Sequence, residues 1–65
     1  MKVKYFRDID TLYIEFRSTG IVETRELDEN TQLDLDANGQ LCALTMEHAS
    51  QRAEMPDFSF EQIAT

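Results

Sequence analysis

The sequence predicts an α+β domain: mainly an antiparallel five-stranded β-meander, followed by a short C-terminal helix and tail. Two observations predict the sheet. Apolar and polar residues alternate through most of the first 48 residues, which is the period of strands with one buried face. Turn-forming clusters interrupt this alternation at roughly eight- to twelve-residue spacing, as in strands joined by hairpins. Helix-forming residues follow, so the single domain of residues 1–65 divides into a β-meander over 1–48 and a helical tail over 49–65.

Each predicted strand has its own local pattern in the sequence. Lysines alternate with apolar residues over residues 2–5, and the alternation resumes over 11–17 after a polar turn. Ser18-Thr19-Gly20 ends this pattern, and residues 21–27 alternate β-branched with charged side chains. The fourth and fifth strands flank Asn38-Gly39, a pair that favours the positive φ angles of tight hairpin turns. We therefore expect the strands that end at Asp36 and start at Gln40 to pair antiparallel.

The apolar members of these alternating sets are predicted to form one interior face. Because side chains alternate along a strand, a register shift of one residue would expose the whole set together. The predicted interior residues are Val3, Tyr5, Leu12, Ile14, Phe16, Leu33, Leu35, Cys42, Leu44 and Met46.

The last third of the chain predicts helix and an apolar end. Residues 49–53 are good helix formers, Ser50 is placed to cap them, and Pro56 ends the segment. Ser59 and Gln62 have the spacing of a capping box for a final turn. The tail also carries three large apolar side chains, so we expect its own sheet or a neighbouring chain to cover it. These residues are Phe58, Phe60 and Ile63.

The chain length and the cysteine count limit how the domain can be stabilised and indicate its cellular compartment. A domain of 65 residues buries only about 60% of its unfolded surface. One cysteine excludes an intrachain disulfide and any Cys-based zinc site, so self-association as a homodimer is the expected source of additional stability. The reduced-type thiol and the absence of a signal-peptide pattern predict a cytoplasmic protein. The longest apolar run, residues 41–44, is too short to cross a membrane.

The net charge of −7 favours some partners over others. Thirteen acidic residues against six basic ones argue against nucleic acid, whose phosphates require cationic surfaces. The basic cluster of Lys2, Lys4 and Arg7 is read as edge-strand protection against aggregation. The charge favours a basic protein partner.

No motif in the sequence is a strong indication of catalysis or of metal binding. Asp34–Gly39 matches the start of a calcium-binding EF-hand loop, but Thr45 occupies the twelfth position, where that loop needs Glu. Cys42 and His48 would lie roughly 20 Å apart on one extended strand, too far for a nucleophile and its base. Paired carboxylates are predicted in turns and on the outer sheet face, where full solvation argues against general acid–base chemistry. These pairs are Asp8/Asp10, Asp28/Glu29 and Asp34/Asp36. We assign no catalytic, cofactor-binding or metal-binding residue and expect no cofactor.

The organisation of residues 1 to about 50 resembles a bacterial family, domain of unknown function 2283. The most specific pieces are the D-x-L-Y-I stretch of residues 10–14 and the E-x-A-S stretch of residues 47–50. Other matching pieces are residues 1–5, 23–24, 26–27, 33–36, 38–39 and Leu41. The resemblance implies a small β-meander with a short C-terminal helix and no known activity. Family genes often stand beside genes for small predicted toxins, which suggests an antitoxin-like role. His48 stands where the family pattern has an acidic residue.

Two functions from different classes remain open. The first is a protein-interaction module, antitoxin-like toward a basic partner. The alternative is a small-ligand-binding or enzymatic protein whose site forms at a subunit interface near His48, with Cys42 and Tyr13. The predicted interaction or ligand surface consists of Tyr13, His48, Phe58, Phe60 and Ile63.

Overall fold

A five-stranded antiparallel sheet makes up most of the computed structural model, which describes residues 1–64. The prediction of five strands in one antiparallel sheet is therefore confirmed. Thr65, the last residue of the predicted tail, lies outside the described residues. The strands are β1 (Lys2–Phe6), β2 (Thr11–Glu15), β3 (Ile21–Asp28), β4 (Thr31–Asp36) and β5 (Leu41–Glu47).

The order of the strands differs from a meander. It is β1-β2-β5-β4-β3, so β5 lies between β2 and β4. The predicted hairpins β1–β2, β3–β4 and β4–β5 are present, but β2 and β3 are not neighbours. Strands β2 to β5 instead form a Greek key, in which residues 16–20 connect β2 to the far edge of the sheet. That connection spans three strand spacings, about 14 Å, which five extended residues can reach.

Cross-strand pairing places the predicted apolar residues on one face. One row of paired residues runs Val3–Ile14–Leu44–Leu33 across four strands, and the next row joins Tyr5, Leu12 and Met46. We call these seven residues the apolar face. The predicted register is confirmed by these pairs, since a shift by one residue would have put polar residues in both rows.

The predicted interior residues are less buried than the alternation of apolar and polar residues suggests. The seven residues of the apolar face are half-buried. Of the predicted interior residues, only Leu35, 6% exposed, and Cys42, 0% exposed, are buried. The prediction for Phe16 is wrong: β2 ends at Glu15, and Phe16 is 42% exposed. Thr31, Ala43 and Ala49 are buried although the sequence pattern does not mark them.

The predicted C-terminal helix is reduced to one turn. A 3-10 turn spans Ala49–Gln51, and no helix or strand follows it within residues 52–64. His48 before it has a left-handed backbone with φ of 55°, which interrupts α-helical geometry. Pro56 disfavours helical angles at Met55, so too few residues remain for an α-helix. The final turn predicted at Ser59–Gln62 is absent too.

The β4–β5 turn explains the calcium-like motif. The Gly39 amide donates to the Asp36 carbonyl at 3.0 Å, and only Gly39 of the Asn-Gly pair has a positive φ, 76°. This is a three-residue loop with a left-handed glycine. The Asp36 carboxylate accepts from the backbone amides of Asn38 and Gln40, both at 2.9 Å. Its Oδ1 atom therefore stabilises the turn.

A tail groove and its anchors

The C-terminal tail runs beside the β1–β2 part of the apolar face and leaves an open groove between them. We call this the tail groove; its volume is about 760 Å³. The sheet wall is made of Val3, Leu12 and Ile14 together with Met1, and the tail wall of residues 53–58 and Phe60. Most of this lining is apolar.

Asp10 anchors the start of the tail. Its side chain accepts hydrogen bonds from the Ser50 amide at 3.0 Å and the Ser50 hydroxyl at 2.7 Å. Its backbone carbonyl accepts from the Ala49 amide at 3.0 Å. The Tyr5 hydroxyl donates to the same carboxylate at 2.5 Å. One carboxylate therefore joins β1, the β1–β2 turn and the 3-10 turn, and Ser50 donates to Asp10 where a helix cap would accept.

Arg52 forms a second anchor, at the turn between β3 and β4. Its guanidinium donates to both carboxylate oxygens of Asp28, at 3.2 and 3.0 Å, and also to the Thr31 hydroxyl. A bidentate pair fixes the orientation as well as the position of the arginine. Thr31 is 1% exposed, so this contact satisfies a buried hydroxyl. The chain is thus held at Ser50 and at Arg52 immediately before it forms the wall of the groove.

The contacts at both anchors lower the pKa of the carboxyl group involved. Hydrogen bonds from Tyr5 and Ser50 lower the pKa of Asp10, and His48 adds a smaller electrostatic contribution. The backbone hydrogen bond from Asn30 lowers the pKa of Asp28, and Thr31 and Arg52 act in the same direction. The hydrogen bond to Asp10 raises the pKa of Tyr5, which stays a neutral donor.

We expect the anchors to fail in acid. Because both carboxyl pKa values are lowered on folding, their stabilisation is complete above the unfolded value, about pH 4. It is lost as the pH falls through the folded values. The melting temperature, measured by circular dichroism from neutral pH downward, should therefore decrease below about pH 4. Asp10→Asn should flatten this decrease, whereas Asp8→Asn, which removes an exposed carboxylate from the same turn, should not. Equal acid profiles for all three proteins would contradict this assignment.

The predicted surface residues do not form one cluster. Phe58 and Phe60 line the tail groove while remaining 62% and 71% exposed. Ile63 is also 71% exposed but is not among the lining residues. The chain's own sheet therefore leaves all three largely uncovered, and their burial by another chain stays a prediction.

Tyr13 and His48 lie elsewhere. Tyr13 pairs with Lys4 and Thr45 on the face opposite the groove, where partial burial and the carboxylates of Glu15 and Asp34 raise its pKa. His48 is exposed at the end of β5, and buried Cys42 lies near the start of that strand. Within one chain these three side chains are separated, so a site at a subunit interface stays a prediction. Within residues 1–64, no three His, Cys, Asp or Glu side chains are grouped as metal ligands.

Asp10, Asp28 and Arg52 are the positioning residues that the sequence interpretation missed. Asp10 and Asp28 were read as solvated turn carboxylates, since nothing local shows that the chain returns to them 40 and 24 residues later. A signal did exist for Asp10. The two most specific pieces of the family resemblance are residues 10–14 and 47–50, and the Asp10–Ser50 bonds join their ends.

The chain matches a known protein family over most of its length. Residues 2–50 match the family described as Protein of unknown function (DUF2283). The chain belongs to this family. The DUF2283 match contains the whole sheet and ends at Ser50, the residue that Asp10 holds. The tail wall of the groove lies beyond the DUF2283 region.

No curated protein and no solved structure matches the chain. Within the described residues, no helix is long and apolar enough to cross a membrane.

Proposed function

We propose that this DUF2283 protein is a protein-interaction module that takes an apolar segment of a basic partner protein into the tail groove. The observation that carries the proposal is the pair of exposed aromatic side chains, Phe58 and Phe60, in the wall of an apolar groove. Exposed aromatic residues beside a concave apolar surface are typical of sites that bury a partner's side chains.

The anchoring of the tail supports this function. Ser50 and Arg52 fix the tail on one side, and residues 54–64 continue without regular secondary structure. The origin of the wall is therefore held in place before a partner binds. A wall that is positioned before binding loses less conformational entropy when a partner binds.

Charge supports a basic partner. Among the described residues, the charged side chains that line the groove are both carboxylates, those of Glu54 and Asp57. The whole chain carries a net charge of −7, so a cationic partner is attracted before contact. An apolar segment flanked by Lys or Arg fits both the lining and its charge.

An antitoxin-like role is the finer form of this proposal. The family resemblance suggests it, because family genes often stand beside genes for small predicted toxins. The partner would then be a basic toxin, and the groove would mask part of its surface.

The test is co-purification at near-native expression from the native host, followed by measurement of affinity for the protein recovered. We expect a basic protein in stoichiometric amount. Phe60→Ser should weaken its binding by about tenfold or more, as for an aromatic residue at an interface. Glu54→Gln with Asp57→Asn should slow association, most clearly at low salt.

Ile63→Ser provides the matched control. Ile63 and Phe60 are equally exposed, at 71%, but only Phe60 lines the groove. Ile63→Ser should therefore leave the affinity unchanged. Isolation of the protein without a partner, or equal weakening by both substitutions, would show that the groove is not the binding site.

A further inference from the structure

Strand β3 is an open edge of the sheet that lies away from the tail groove. All eight of its residues are exposed, and within residues 1–64 it pairs with β4 alone. The pairing with β4 is regular from Glu23 to Glu26, and irregularities interrupt it on both sides. These four residues are therefore a regularly paired stretch of edge, and no strand of the described residues lies beside their outward-pointing backbone groups.

Symmetry restricts how this edge can pair with a second copy. When a two-fold axis perpendicular to the sheet relates two antiparallel strands, each face stays on its own side. Residues directly opposite must then come from the same face, so one residue has to pair with itself. Within the regular stretch, the self-paired residue is Glu23, Thr24, Arg25 or Glu26.

Charge selects one of these four registers. Three of them place two like charges directly opposite each other, which destabilises a sheet. Only the register centred on Thr24 avoids this, and threonine pairs are favourable across strands. The same register sets Glu23 of each chain opposite Arg25 of the other. These two side chains already form an ion pair of 3.2 Å within one strand, so both point to the same face.

We infer that the partner of this edge is a second copy of the chain, paired antiparallel through β3 with Thr24 at the two-fold axis. The product is a continuous ten-stranded sheet with two Glu23–Arg25 pairs between the chains. The contact is small, so the dimer is in concentration-dependent equilibrium with monomer. It does not depend on the tail groove, because that groove lies at β1 and β2.

Sedimentation equilibrium of the full chain, from low to high micromolar concentration, tests the inference. The wild type should reach the mass of two chains. Arg25→Glu places Glu opposite Glu twice and should weaken association by about tenfold or more. Adding Glu23→Arg to that variant restores opposite charges and the original net charge, and should restore the dimer.

Lys4→Glu is the control on the other edge of the sheet. It replaces one positive with one negative charge, as Arg25→Glu does, but it lies on β1. We expect it to dimerise like the wild type. A monomeric wild type, equal effects of the two substitutions, or no rescue by the double charge exchange would overturn the inference. So would a dimer that is lost with Phe60→Ser, because it would then form through the tail.

Cross-linking tests the register. The two copies of residue 24 would lie about 5 Å apart between Cα atoms, so Thr24→Cys should form a disulfide-linked dimer on oxidation. Glu26→Cys, on the same face, would lie about 14 Å from its copy between Cα atoms and should not form this disulfide. Cys42 is fully buried and gives no background. Cross-linking through position 26 instead of position 24 would overturn the register.

Discussion

Replacing Leu44 with Ala should destabilise the protein by about 2–5 kcal/mol, at the lower end because the side chain is half-buried. Leu44 is in the central strand and pairs with Ile14 on one side and Leu33 on the other. Its loss opens a gap in the middle of the apolar face. A domain of this length has a total stability of about 3–10 kcal/mol, so the melting temperature should fall by about 10 °C or more.

Leu27→Ala is the control for this prediction. The same change in volume then occurs on the edge strand, where Leu27 is 62% exposed. We expect a change within about 0.5 kcal/mol, as is usual at surface positions. Thermal denaturation of both variants measures the difference. If Leu44→Ala melts within a degree or two of the wild type, the central position of this side chain is wrong.

Asp10→Asn should release the start of the tail while the sheet remains folded. Asparagine keeps the size of the side chain and tolerates the φ of 50° at this position. It loses the charge that strengthens the bonds from Ser50 and Tyr5. Amide hydrogen exchange at Ser50 should accelerate by about tenfold or more, and proteases should cut the tail faster.

Two further variants define this effect. Ser50→Ala removes only the hydroxyl bond and should give a smaller acceleration at residue 50, because its amide still donates to Asp10. Asp8→Asn should leave exchange there unchanged. Equal protection of residue 50 in the Asp10→Asn and wild-type proteins would show that this carboxylate does not hold the tail.

The strands and their faces could be predicted because both follow from local alternation. Val3, Ile14, Leu44 and Leu33 each stand at the alternate positions of their own strands, and pairing brings them into one row. The failure at Phe16 has a local cause as well. The alternation in sequence continues to Arg17, two residues beyond the end of β2, and the pattern does not show where a strand stops.

The order of the strands could not be predicted in this way. Residues 16–20 contain Ser18-Thr19-Gly20, which fits a hairpin turn as well as a connection across the end of the sheet. Only the competition between β3 and β5 for the free edge of β2 distinguishes the two. The more apolar β5 takes the central position, where both of its edges are paired, and the charged β3 takes the edge.

The candidate site could be predicted only in part, because only some of its residues are recognisable from local sequence. Phe58 and Phe60 could be recognised as aromatic residues that need a cover, and both line the groove. Its anchors depend on contacts between residues far apart in sequence, Asp10 with Ser50 and Asp28 with Arg52. No local pattern of charge or hydrophobicity contains that information.

The central place of β5 has a consequence for the synthesis of the chain. The ribosome makes β1 to β4 first, and these form two hairpins with no direct pairing between them. An isolated two-stranded hairpin is at best marginally stable in water. Both hairpins must therefore wait for residues 41–47, which pair with β2 and β4 at once. A nascent chain or a fragment that ends before Leu41 therefore remains open to proteases, and the sheet forms once its last strand has emerged.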